Sequence, residues 1–489
     1  MRWPVTADGR MSIRDAVARI DRSESGGIVV VNDGNQLVGT ATGERLRRAL
    51  RDGIAPDAPV STVVDEDPIV VDAGGTIRTV EGAADAHDGT GWTQETTIAP
   101  VIDDDGTVVD VTTIELTDRT SREIEPGSTG GETVLVVGGA GYLGSVLCRQ
   151  LIGDGFDVRV LDPLLYGDAG IADLTDDDRF TLIRGDARSV DAVLEAIDGA
   201  DAVVHLGGIV GDPASEIDAE KTLEYNLHST QLLASLCKYH GINRFVFAST
   251  CSVYGRSETD SGRLAEDAPR NPVSLYARLK IQSERVLQDL ADDRFSPTIL
   301  RMATIYGCSP RMRFDLVGNI LPAKAHSKGV IPVFGGDQYR PNVHVADAAR
   351  AYVDCLTAPM EDVADTVFNV GSNQQNYRID ELATIVADCF PDASIEYHDE
   401  QTDERSYRVE FEKIHTALGY EPERTIRDHC LELKDAFESD RFGDYTATRY
   451  NNYETLEQAP SYERTAAVLG PRESTVLERP QEKLPSGEA

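Results

Sequence analysis

The chain has 489 residues, with 47 Lys and Arg against 84 Asp and Glu, so its formal net charge is −37 and its pI is near 4.5. That length supports about two to four domains and a large core, and a 40% hydrophobic content excludes a wholly disordered chain. The charge excludes nucleic acid or an anionic membrane as the main partner, because phosphate surfaces attract Lys and Arg. No apolar run approaches the roughly 18 residues of a membrane span, and the N-terminus lacks a signal-peptide pattern. The 7 cysteines are scattered and without CxxC spacing. They read as reduced thiols of a cytoplasmic protein with no bound metal.

Up to about residue 120 the sequence carries a weak internal repeat. One copy reads SIRDAVARI, then GIVVVNDGNQLVGTATGERLRRAL; the other reads TIRTVEGAADA, then IAPVIDDDGTVVDVTTIELTD. Each predicts helix, strand, turn and strand, and the first copy adds a helix. Asn32-Asp33-Gly34 and Asp104-Asp105-Gly106 are hairpin signals. The segment resembles a tandem pair of CBS modules, an α+β family of small paired domains that often bind adenine nucleotides. That resemblance implies a regulatory nucleotide sensor over residues 1–120, with a ligand-free docking or dimerisation domain as the alternative. Its nucleotide sites commonly use a Thr and an Asp after the second strand. Here Thr42 fits, Arg45 stands where Asp is expected, and the second copy reads Thr112-Thr113-Ile114-Glu115. Residues 121–131, SREIEPGSTGG, predict a linker.

From residue 132 to 440 short apolar strands alternate with amphipathic helices. Strands are expected at 134–137, 158–161, 180–183, 202–206, 245–248 and 298–300. This alternation predicts an α/β fold, a doubly wound parallel sheet covered by helices on both faces. The first strand runs into Gly138-Gly139-Ala140-Gly141-Tyr142-Leu143-Gly144 and then a helix. Glycines there permit a tight turn and close backbone approach, and a helix N-terminus favours a pyrophosphate. The second strand ends in Asp162, 24 positions beyond Gly138. Its carboxylate can hold both ribose hydroxyls of NAD and would repel the extra phosphate of NADP. Asp186, after the third strand, is placed for the adenine amine, or for a helix cap.

A fifth strand, FVFAS, leads into Thr250-Cys251-Ser252, and Tyr276-Ala277-Arg278-Leu279-Lys280 follows. Tyr and Lys four apart share a helix face. A nearby ammonium favours phenolate, so such a Tyr can act as a base near neutral pH. With the GxxGxxG loop, this pattern resembles the NAD-dependent epimerase/dehydratase family of extended short-chain dehydrogenases, which act on nucleotide sugars. The likeness runs from about Glu132 to Phe437. It implies a Rossmann-type sheet with a smaller C-terminal substrate-binding domain. It implies Thr250, Tyr276, Lys280 and Asn226 as catalytic. For NAD it implies Gly138, Gly141, Tyr142, Leu143, Gly144, Asp162, Asp186 and Ala187. The turn Leu206-Gly207-Gly208 joins them, with Tyr276 and Lys280. On the substrate side the resemblance points to Thr304, Asn319, Arg340 and Arg405; planar Arg donors suit diphosphates. His205 and His344 read as structural.

The family's dehydratases follow the catalytic Thr with Asp-Glu, and its glucuronate decarboxylases place a Glu there. Cys251 and Ser252 are not ionised at neutral pH by default. The expected activity is therefore nucleotide-sugar epimerisation, at C4, with dehydration, keto-sugar reduction or non-catalytic sensing as alternatives. The resemblances imply a homodimer, through the helix of Tyr276 and Lys280 or through the CBS pair. Residues 441–489 predict a tail, disordered from about Arg472. Lysine occurs at only 8 positions, and acidic, lysine-poor chains resemble proteins of salt-accumulating organisms.

Overall fold

The structure is a computed structural model that describes residues 6–23, 27–51, 54–65, 69–72, 77–79, 96–103, 107–115, 131–256, 262–398 and 405–458. It divides into two units, one formed by Met1–Ser121 and the other essentially by the chain that follows. The expected linker lies almost wholly outside the described residues.

In the first unit, strand Thr6–Asp8 runs parallel to Gly27–Val31, which forms a hairpin with Leu37–Thr42; helix Ile13–Ser23 makes the crossover. The order recurs further on. Ile69–Asp72 runs parallel to Thr96–Ile102, which forms a hairpin with Val108–Glu115. The first hairpin turn is built by Asn32, whose Oδ1 accepts from Gly34 N at 2.9 Å and Gln36 N at 3.0 Å. The turn at residues 104–106 lies outside the described residues. Arg45 is engaged internally. Its backbone N–H donates to Thr42 Oγ1 at 3.2 Å, and its guanidinium donates to the carbonyls of Val63 (2.9 Å) and Val64 (3.2 Å).

The second unit is built on a seven-stranded parallel sheet. Its strands are β1 (Thr133–Val137), β2 (Asp157–Asp162), β3 (Phe180–Arg184), β4 (Ala202–His205), β5 (Arg244–Thr250), β6 (Ser296–Met302) and β7 (Thr366–Val370). The order is β3-β2-β1-β4-β5-β6-β7, so the winding direction reverses between β1 and β4. A crevice opens there at the carboxyl ends of the strands. The flanking helices include α1 (Tyr142–Gly153), α2 (Val190–Ile197), α3 (Ser229–Tyr239), α4 (Leu275–Leu290) and α5 (Val345–Thr357). Side chains of β1 alternate between the faces. Val134 and Val136 pack with Leu147, Leu151 and Tyr352 of α1 and α5; Leu135 and Val137 pack with Val193, Leu233 and Leu287 of α2, α3 and α4. Burial on both faces is why these strands read as unbroken apolar runs.

A smaller region follows β6. Strands Thr304–Tyr306, Tyr339–His344 and Asn376–Arg378 form a three-stranded sheet, and helices Val317–Lys328, Ile379–Cys389 and Ile426–Glu438 share an apolar core around Tyr306, Leu321 and Leu382. Residues 441–458, expected as part of a tail, are folded into this unit. Phe442, Tyr445 and Tyr450 set their rings against Phe314 at centroid distances of 5.5, 5.6 and 5.4 Å. Helix Asn452–Gln458 seats Leu456 among Ile209, Ala214 and Tyr225. Isolated aromatics without periodicity carried this packing, so the pattern of the sequence did not announce it.

Candidate active site

The glycine loop is shaped by contacts that a side chain would block. Gly138 has φ 83°, and a Cβ there would lie 2.8 Å from Gly207 N. At Gly144 a Cβ would lie 2.4 Å from Gly138 O. The loop, the turn after β4 and the start of α1 therefore meet backbone to backbone. Gly141 caps α1 with extended backbone and no side-chain acceptor. The first N–H groups of α1 are left to a ligand, and the helix dipole favours an anionic one.

These elements border a cavity of about 310 Å³. Its wall includes Gly138, Gly141, Tyr142, Leu143 and Gly144 from the loop. Asp162, Asp186 and Ala187 come from the ends of β2 and β3, and Leu206, Gly207 and Gly208 from the turn after β4. Asp162 is 8% exposed, its Oδ2 accepting from Ala140 N at 3.0 Å and its Oδ1 from Leu164 N at 2.8 Å. Burial outweighs those bonds and pushes its pKa up to about 6. Asp186 is also partly buried, but its bonds with Arg188 and Tyr225 prevail and hold its carboxyl below the ordinary range. Arg188 lies 3.9 Å over the Tyr225 ring.

At the other end of the cavity stand Thr250, Tyr276 and Lys280. Thr250 closes β5, its Oγ1 accepting from Ser252 N at 3.1 Å, and it helps to lower the pKa of Tyr276. Ser274 caps α4 through Ala277 N at 3.2 Å, which starts the helix just before Tyr276. One turn on, Lys280 is 1% exposed; its Nζ donates to Ala248 O at 2.7 Å and lies 5.9 Å from the Tyr276 ring centroid. Burial pulls the Lys280 ammonium down to about pKa 7, against the opposing pull of Glu284. Burial, with Asp212, raises the Tyr276 phenol, while Arg313 and Thr250 act in the other direction.

The remaining expected residues divide. Thr304 and Arg405 line the cavity, and Arg405 pairs with Asp212 at 2.5 Å. Asn226, Asn319 and Arg340 are not among the lining residues. Asn226 sits on a π-helical turn, Glu224–His228. Its side-chain amide donates to Ile209 O at 3.1 Å, and its backbone carbonyl accepts from Ser283 Oγ of α4 at 2.9 Å, so this turn braces the helix that carries Tyr276. Asn319 accepts from Gly307 N at 2.9 Å and donates to Arg313 O at 2.7 Å. Arg340 donates to Tyr339 O at 2.8 Å and also to Arg405 O. His205 is fully buried, meets Thr230 Oγ1 at 3.0 Å, and is kept neutral by burial at a pKa of about 3. His344 caps α5 and meets Glu432 at 3.1 Å. Sequence reasoning missed Asp212, Arg311, Arg313 and Tyr407, all on the cavity wall. The run SPRMRFD held the only available signal, two arginines one residue apart after a buried strand.

Residues 134–371 match the model of the NAD dependent epimerase/dehydratase family. A UDP-glucose 4-epimerase of Azospirillum brasilense is 30% identical over 259 residues, covering 46% of this chain and 68% of that protein. The chain belongs to the NAD dependent epimerase/dehydratase family. The UDP-glucose 4-epimerase of Bacillus subtilis is 29% identical over 264 residues, 49% of this chain and 77% of that protein. Among solved structures, UDP-glucuronic acid 4-epimerase from Bacillus cereus, in complex with UDP-glucuronic acid and NAD, is 25% identical with a TM-score of 0.57, covering 63% of this chain and 99% of that one. A dTDP-glucose 4,6-dehydratase from Streptomyces venezuelae, with NAD and TYD bound, is 26% identical with a TM-score of 0.56, covering 63% and 98%. NAD is the cofactor of this epimerase/dehydratase family. The residues present fit it: an uncapped helix N-terminus, a glycine cradle that a Cβ would fill, and a carboxylate at the end of β2.

Proposed function

We propose that the second unit is a nucleotide-sugar 4-epimerase. The observation that carries this reading is the pair of residues after Thr250. Cys251 is buried, its thiol donates to Arg301 O at 3.2 Å, and burial raises its pKa. Ser252 meets the Tyr407 hydroxyl at 3.3 Å. Neither supplies the ionised acid and base that water elimination needs. Among the described residues on the wall, the carboxylates are Asp162, Asp186 and Asp212; two sit by the glycine loop and the third is paired with Arg405.

Epimerisation needs less. Tyr276 removes the proton from one sugar hydroxyl and returns it after the keto sugar has turned over in the cavity. Thr250 and Arg313 act to lower the pKa of the phenol, and the Lys280 Nζ lies 5.9 Å from its ring centroid. NAD, when bound, supplies the hydride acceptor and a positive ring that further favours phenolate. Arg405, Arg313 and Thr304 face the sugar-nucleotide end. The decisive experiment incubates the protein with NAD and UDP-glucose, UDP-N-acetylglucosamine and related nucleotide sugars, and follows products by NMR. A 4-epimer without net NADH demand is expected; a product lacking its 6-hydroxyl would overturn the reading.

The first unit is read as a CBS pair that senses an adenine nucleotide and regulates the second. Scanning fluorimetry with ATP, ADP and AMP tests this, and no shift with any of them removes the sensor. The protein is read as a cytoplasmic homodimer whose acidic surface is adapted to high salt. Full structure and activity at about 0.05 M salt, where screening is weak, would refute that adaptation.

A further inference from the structure

Buried arginines of the second unit generally have matched partners. Arg301 donates to Glu284 through Nε at 3.0 Å and Nη2 at 2.8 Å. Arg313 forks onto Asp315 at 2.9 and 2.7 Å. Arg244 donates to the carbonyls of Cys355 at 2.7 Å and Ala358 at 3.0 Å. Arg311 differs. It is 5% exposed and lines the cavity, and its Nε and Nη2 have no partner. An always-charged fork left without acceptors in a buried position is costly unless a ligand supplies them.

The neighbours of Arg311 are already committed. Asp315 is forked to Arg313, and both oxygens of Asp162 accept backbone N–H groups. Arg313 adds a second positive charge; burial and that charge together lower the Arg311 pKa to about 10. The guanidinium lies 4.4 Å from the Tyr166 ring centroid, which holds the charge in place. The chain two residues before it is fastened to the start of α1. Ser309 Oγ donates to Tyr142 O at 2.7 Å and meets Ser145 Oγ at 3.0 Å. A Cβ on Gly170 would sit between Arg311 Cβ at 2.8 Å and Ala140 O at 2.9 Å.

We propose that Arg311 and the N-terminus of α1 form the two halves of a diphosphate clamp, and that the diphosphate held is that of the dinucleotide. A guanidinium and a row of backbone N–H groups both suit phosphate oxygens. The nucleotide sugar carries the same chemistry, but the attachment of Arg311 to the glycine loop favours the cofactor. The test is calorimetric titration of the full chain, and of Arg311→Met, with NAD, adenosine and UDP in separate arms. The clamp predicts at least a tenfold loss of NAD affinity with adenosine and UDP unchanged. Arg311→Gln, which keeps a planar donor over Tyr166, guards against misfolding and should show a loss of the same kind. Unchanged NAD affinity in folded protein overturns the proposal. So does a loss confined to UDP, and so does an equal loss for adenosine and NAD, which would mark a packing role.

Discussion

Replacing Lys280 by methionine should make the protein more stable while ending its catalysis. The ammonium is 1% exposed, and burial takes its pKa from 10.5 to about 7. At about 1.4 kcal/mol per tenfold change in proton affinity, holding it charged in the fold costs on the order of 5 kcal/mol below pH 7. Methionine removes that cost and leaves Ala248 O without its donor, a loss of about 1–3 kcal/mol. The net gain is on the order of 2–4 kcal/mol, or a rise in apparent Tm of roughly 3–6 °C for a unit of about 330 residues. The sign with pH follows from linkage. Between about pH 7 and 10.5 the unfolded chain binds this proton and the folded chain does not, so the parent gains stability as pH rises. The advantage of Lys280→Met is therefore full below pH 7 and shrinks toward pH 10. Thermal melts by far-UV circular dichroism at pH 6, 8 and 10, with turnover measured in parallel, test this. A variant that melts at or below the parent at pH 6, or a gap that does not narrow with pH, would refute the reasoning.

Tyr276→Phe should lose turnover yet keep NAD, because the ring still fills its place while the proton carrier is gone; retained activity would remove Tyr276 as the base. For Asp162, whose pKa lies at about 6, protonation below that pH should weaken NAD binding as ribose acceptors are lost. Asp162→Asn should bind weakly with no such pH dependence, which calorimetry at pH 5, 6 and 7.5 would read. Glu284 is fully buried and bonds Arg301, Arg270 and Ser249. Glu284→Gln strands the Arg301 charge and should cost about 3–5 kcal/mol in urea unfolding. In Gly144→Ala the new Cβ would meet Gly138 O at 2.4 Å and Gly139 Cα at 2.7 Å, so NAD affinity should fall more than tenfold while helix content stays near the parent's.

The parts of the molecule that could be read in advance share a cause. Strands β1 to β6 end within two residues of their expected bounds, because strands buried on both faces are short unbroken apolar runs. The glycine loop and Asp162 share one stretch of cavity wall because a single βαβ unit carries them within a few tens of residues. Beyond that, the relevant contacts span long separations. Arg405 meets Asp212 across almost two hundred residues, and the wall residues Arg311 and Arg313 lie on irregular backbone, where no period marks a face. Asn319 and Arg340 show a different difficulty. Residue types suited to holding phosphate are equally suited to satisfying buried backbone, and here their groups bond Gly307, Arg313, Tyr339 and Arg405.

The segment 441–458 has a consequence for how the enzyme comes into being. Asn452 lies on the cavity wall, and its N–H donates at 3.3 Å to the Asp315 carboxylate that forks Arg313. The glycine loop and the strand ends that line the cavity are synthesised earlier, and domains tend to fold from the N-terminal side as the chain emerges. The sheet can therefore form on the ribosome, but the chamber has no complete wall until residues past 450 are free to dock. Closure of the chamber therefore waits for residues more than 300 positions after the glycine loop, as the place of Asn452 on the wall requires.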